Sequence, residues 1–104
     1  MRSLLVWLIL CGASLAAEPT SAPLDPVALQ RLVHQDCGSC HGLTLKGGLG
    51  PDLRAETLAH YDPQILSSVI LDGINGTAMP PWRPLINEAE ALWIAEYLLK
   101  RDTP

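Results

Sequence analysis

No phenylalanine occurs anywhere in this chain, and three tryptophans and two tyrosines are its only aromatic side chains. A large aromatic core is excluded, so a chain of this length needs another way to complete its interior. Positive charge is short as well. Lys and Arg total 7 against 11 Asp and Glu, which argues against nucleic acid as a partner. No apolar run reaches the roughly 18 to 20 residues that a bilayer span needs. The strict alternation of a half-buried strand is missing, as are internal repeats and low-complexity tracts, and the expected fold is all-α. Cysteine is scarce too, but two of the three stand together in Cys37-Gly38-Ser39-Cys40-His41.

Two thiols three positions apart with an imidazole directly after them form the signature of covalent c-type haem attachment. Each thiol can add to one haem vinyl group to give a thioether, and His41 is near enough in sequence to reach the iron. A zinc half-site needs a second ligand pair downstream, and none is written here: Cys11 lies in a targeting segment, while His34 and His60 are isolated. A thioredoxin-like dithiol should follow a strand, and no β-branched run precedes Cys37.

Residues 1–17 read as a signal peptide: Arg2, the apolar stretch Leu4 to Cys11, then small residues through Ala17. Leu10 is bulky where a lipoprotein signal has a small residue, so Cys11 reads as apolar filler. Cleavage after Ala17 leaves 87 of the 104 residues, with six basic side chains against eleven acidic ones. That is one small domain, short of the core it needs unless a haem supplies it. Once the signal is cleaved, no stable membrane insertion is expected.

Residues 18–24, with Pro19 and Pro23, read as a flexible leader, and residues 25–104 as the domain. Asp25 and Pro26 start a helix whose apolar face is Val27, Leu29, Leu32 and Val33, and which delivers Cys37, Cys40 and His41. Gly42 to His60 reads as loop. A second helix begins at Asp62-Pro63, carries Ile65, Leu66, Val69 and Ile70, and ends at Gly73 in a left-handed conformation. After the loop Gly73 to Pro84, the pair Asn87 and Glu90 caps a last helix with a buried stripe of Ala91, Leu92, Ala95, Leu98 and Leu99.

Once the signal is removed Met79 is the only methionine left, in Thr77-Ala78-Met79-Pro80-Pro81-Trp82. Its thioether is the candidate sixth iron ligand, a soft donor that favours reduced iron and raises the reduction potential. Pro80 and Pro81 stiffen the backbone that presents it. His34 and His60 are rival ligands, His34 on the helix of Cys37 and His60 beside a helix start. The ring nitrogen of His41 that does not face iron needs an acceptor, for which a backbone carbonyl near Gly50-Pro51 is expected. Trp82 either covers the haem edge or a propionate, or packs in the core. Trp93 and Tyr97, four apart, are expected to pack against the first helix.

The chain resembles the class I c-type cytochromes through Cys37-x-x-Cys40-His41 near its start, Gly50-Pro51-Asp52-Leu53 in the first loop, Met79-Pro80 in the second, and a last helix closing on Tyr97-Leu98. The resemblance spans essentially all of the chain after the leader. It implies a small fold of helices packed around one covalently bound haem c, with the first and last helices crossing. Carried over residue by residue, it makes Cys37 and Cys40 the thioether links and His41 and Met79 the axial ligands.

A narrower resemblance, carried by Asp36 through Pro51 and by Met79-Pro80-Pro81-Trp82, is to the small periplasmic cytochromes of the NirC type. It implies an electron carrier, not an enzyme, that donates to cytochrome cd nitrite reductase in denitrification. Two alternatives stand beside this: an accessory electron acceptor in d-type haem biosynthesis, and a generic shuttle to a terminal oxidase.

Overall fold

The computed structural model describes residues 23–101 together with Gly12. The signal peptide, most of the leader and the last three residues therefore lie outside the described residues. Among those described there is no strand, in keeping with the all-α expectation.

The first helical stretch opens as α1 (Pro26–Leu32), with Pro26 in its first turn and the Asp25 carboxylate accepting from the Ala28 amide at 3.1 Å. It passes without interruption into a π-helical turn, Val33–Cys37, where the Gly38 amide reaches back five residues to the Val33 carbonyl, and closes as α2 (Gly38–His41). Such a turn holds one residue more than an α-helical one. Then come α3 (Ala55–Leu58), α4 (Pro63–Asp72) and α5 (Glu88–Lys100). The Asp62 side chain caps α4 by accepting from the Gln64 amide. Asn87 and Glu90 form the expected reciprocal capping box on α5, at 2.8 and 3.0 Å.

Helix α5 is the hub. Helix α4 packs along it most extensively, while α3 and α1 also rest on it. The core joins Leu29 and Val33 of the first stretch, Leu66, Ile70 and Leu71 of α4, and Ala91, Ile94, Ala95 and Leu98 of α5, with Leu45, Leu58 and Ile86 sealing it from the loops.

Several expectations need correction. Val27 is 68% exposed, because two residues from Leu29 is roughly 200° around a helix and only one side meets α5. Ile65 is 58% exposed for a similar reason: Leu66 and Ile70 take the stripe that faces α5. Ile94, absent from the expected stripe, is among the most deeply buried side chains. The stretch Gly42 to His60 is not all loop, since α3 forms where the Arg54 carbonyl accepts from Thr57 and Leu58 and the Leu58 side chain is buried. Gly73 does take a positive φ of 67°, but its ψ of −169° is extended and not left-handed helical.

Candidate functional site

Cys37 closes the π turn, and Cys40 and His41 follow in α2, so the three side chains stand three and four positions apart on one side of a continuous helical stretch. The two cysteines are not joined in a disulfide, Cys40 being exposed and Cys37 half-buried. Burial, reinforced by the neighbouring Asp36 carboxylate, pushes the Cys37 thiol up to about 11. A site that resists a thiolate suits a neutral thioether and disfavours zinc, which binds deprotonated sulfur. Among the described residues no cluster of three or more His, Cys, Asp or Glu side chains is arranged to hold a metal ion.

The loop after His41 folds back over the end of α2. Gly47 and Gly50 amides cap the carbonyls of His41 and Cys40 at 2.8 and 2.7 Å, and the Leu53 amide bonds the Leu45 carbonyl at 2.9 Å. These bonds satisfy groups that a helix end leaves without internal partners. They also bring the Pro51 carbonyl to 2.7 Å from His41 Nδ1. A carbonyl only accepts, so Nδ1 carries the proton and Nε2 keeps a free lone pair, the tautomer an iron ligand requires. Gly50 lies against the same ring: a Cβ there would sit 2.8 Å from two ring atoms of His41. Gly50→Ala is accordingly expected to cost about 1–3 kcal/mol, an overpacking penalty visible as a lowered melting temperature of the haem-loaded protein.

Met79, half-buried, sits on the loop that leaves and rejoins α4. Its carbonyl accepts from the Ile74 amide at 3.3 Å, and its amide donates to Thr77 Oγ1 at 3.2 Å. Gly73 is required beneath it, because a Cβ there would fall 2.6 Å from the Met79 carbonyl oxygen. Trp82 is partly buried against the core, and its amide bonds the Ile70 carbonyl at 3.2 Å. No hydrogen bond among the described residues joins this loop to the Cys40–Leu53 segment.

The other histidines have different surroundings. His34 Nε2 lies 2.8 Å from the Tyr97 hydroxyl, so Tyr97 meets the first helical stretch as expected, while Trp93 stacks on Tyr97 with ring centroids 5.2 Å apart. His60 is exposed and packs on Tyr61.

Two ion pairs escaped the sequence reading. Arg54 donates through Nε and its own amide to Asp52, each at 2.7 Å, and holds that carboxyl down at about 2. Arg83 grips Asp72 at the neck of the Met79 loop. The only signal for the first was an opposite charge two residues away, which is too common to single out, and the second, eleven residues apart, had none.

The residues present suit a covalently bound haem. The thiols share a side of the helix with an imidazole in the right tautomer, and Cys37 sits where a neutral sulfur is favoured. Four of the seven large apolar side chains left exposed among the described residues flank these loops: Leu43 and Leu49 after His41, Ile74 and Leu85 around Met79. Leu49 is 96% exposed, as an apolar residue beside a flat apolar ligand can be before that ligand covers it.

Comparison with known proteins agrees. The family model described as "Cytochrome C oxidase, cbb3-type, subunit III" matches residues 25–98. Cytochrome c55X of Paracoccus denitrificans (strain Pd 1222) is 53% identical over 102 residues, covering 98% of this chain and 97% of that protein. A solved c-type cytochrome NirC superposes with a TM-score of 0.69 at 43% identity, over 71% of this chain and 87% of the other. The solved dihydro-heme d1 dehydrogenase NirN in complex with DHE gives a TM-score of 0.66 at 32% identity, over 72% of this chain but 16% of that one.

Proposed function

Because this chain belongs to the NirC-type class I c-type cytochromes and carries one covalent haem c, we propose that it is a periplasmic one-electron donor to cytochrome cd nitrite reductase. The observation that carries the reading is the His41 side chain, locked by Pro51 into one tautomer on the helical face that also presents Cys37 and Cys40. The bound haem supplies an iron that alternates between ferric and ferrous states.

The chain's own residues hold that group and set its preference for the electron. Cys37 and Cys40 would hold it through thioether links, and His41 Nε2 would be one iron donor. The Pro51 carbonyl orients the imidazole and strengthens it as a ligand. Met79 would supply the second iron donor, a soft sulfur that favours the reduced state. Were His41 and Met79 both to hold the iron, no coordination site would stay open for substrate chemistry, which supports an electron carrier over an enzyme. Trp82, packed against the core where the Met79 loop returns, would cover the haem edge with its outer side. The apolar stretch within residues 1–17 accounts for export, and no described helix is long and apolar enough to cross a membrane.

Stopped-flow mixing of the reduced protein with purified cytochrome cd nitrite reductase tests the donor role. Fast, saturable oxidation is expected; slow transfer that never saturates sinks it. The likeness to the dihydro-heme d1 dehydrogenase NirN favours a second reading, in which the oxidised protein accepts electrons from a d-type haem precursor held by a partner. Reduction of the ferric protein by that loaded partner, without oxidation by nitrite reductase, selects this alternative. The matched family is described by an oxidase subunit, but the likeness to the solved c-type cytochrome NirC, over 87% of that chain, is the stronger guide to the partner.

A further inference from the structure

We infer that the Asp72–Arg83 ion pair is a latch on the Met79 loop, and that Arg83 is a positioning residue for the axial sulfur. This rests on the reading of Met79 as an iron ligand.

The loop leaves α4 at Gly73 and returns to it at Trp82. The Gly73 amide bonds the Val69 carbonyl at 2.9 Å, Trp82 bonds Ile70 at 3.2 Å, and Arg83 bonds Leu71 at 3.0 Å. The first of these is the last helical bond of α4, and the Ile70 and Leu71 carbonyls beyond it, which lack helical partners, are completed by the returning chain. Those three bonds fix the register of the neck. Across the same neck, Arg83 Nε and Nη2 donate to the two oxygens of Asp72 at 2.9 and 3.1 Å, a bidentate fork. Its remaining nitrogen lies 3.6 Å from Glu88, which ties the neck to the first turn of α5.

Both side chains are about half exposed, 51% for Arg83 and 57% for Asp72, so the pair adds little to global stability and is screened by salt. Its location gives it another role. A thioether is a weak ligand, and its occupancy at the iron depends on how often the loop opens. A small bias at the neck therefore appears directly in ligand exchange, while the α4–α5 core remains intact.

Imidazole titration of the haem-loaded ferric protein at fixed pH, followed by loss of the methionine-to-iron charge-transfer band, measures that bias. Arg83→Gln is expected to lower the imidazole concentration at half-displacement by up to about fivefold, the range of an exposed ion pair. Asp72→Asn should do the same, and the double variant should be no worse than either single one. High salt should bring the wild-type protein to the Arg83→Gln value and leave that variant unmoved. A merely structural role would lower the melting temperature and leave the midpoint where it was. Equal midpoints for wild type and Arg83→Gln, or a wild-type midpoint indifferent to salt, overturn the latch alone. A wild-type ferric spectrum with no charge-transfer band overturns the latch together with the assignment of Met79.

Discussion

Replacing Cys37 and Cys40 together with Ala is expected to abolish the cooperative thermal transition and most of the helical circular dichroism of the exported protein. The interior explains why. Among the described residues the twelve buried apolar ones are aliphatic, without one fully buried aromatic ring, and exposed leucines and isoleucines flank the motif loops. A chain this short buries too small a fraction of its surface to be secure alone. A ligand bound only by the folded state adds to stability by mass action, about 4 kcal/mol when it is present at a thousandfold over its dissociation constant, and a tethered one adds at least as much. Typical domains have only about 5–15 kcal/mol in total. Each single cysteine variant, keeping one thioether, should melt between the two extremes. A sharp melt of haem-free double variant at ordinary temperature would contradict the account.

Met79→Ala should remove the charge-transfer band of the ferric protein and lower its reduction potential by a substantial part of the about 0.8 V range through which axial ligands tune haem. The argument is chemical: sulfur stabilises ferrous iron, and water or a stray nitrogen base in its place does not. Gly73, Pro80 and Pro81 keep the loop backbone in place, so the fold should survive. Met79→His then serves as a contrast, restoring a strong sixth ligand with a low potential. Spectroelectrochemical titration of the three proteins checks this. An unchanged potential in Met79→Ala would mean that the sulfur never reaches the iron.

How much of this could be read from the chain depends on the range of the interaction. Caps are local, so Asp25, Asp62 and the Asn87–Glu90 box were visible as sequence pairs and are found in place. The acceptor for His41 was legible to within one residue, since Gly50-Pro51 is near enough in the chain to return to the ring. Helix α3 was not, because four residues show no period and its anchor is the tertiary burial of Leu58. Leu45 was missed for the same reason: it is fully buried at a φ of 60°, a conformation uncommon for a leucine, which its deep packing overrides. Arg83 and Asp72 meet only because the intervening loop closes on itself, which no local pattern announces.

The wide turn at Val33–Cys37 carries a consequence for how this family can vary in length. The turn takes up its extra residue internally, because five residues wound this way rotate the chain about as far as four of an ordinary α-helix. Deleting one residue from Val33–Cys37 would therefore restore ordinary winding and leave the sulfurs and the imidazole facing nearly as before. The same deletion in a regular helix, with no wide turn to absorb it, would swing everything beyond it by about 100°, the angle one residue subtends.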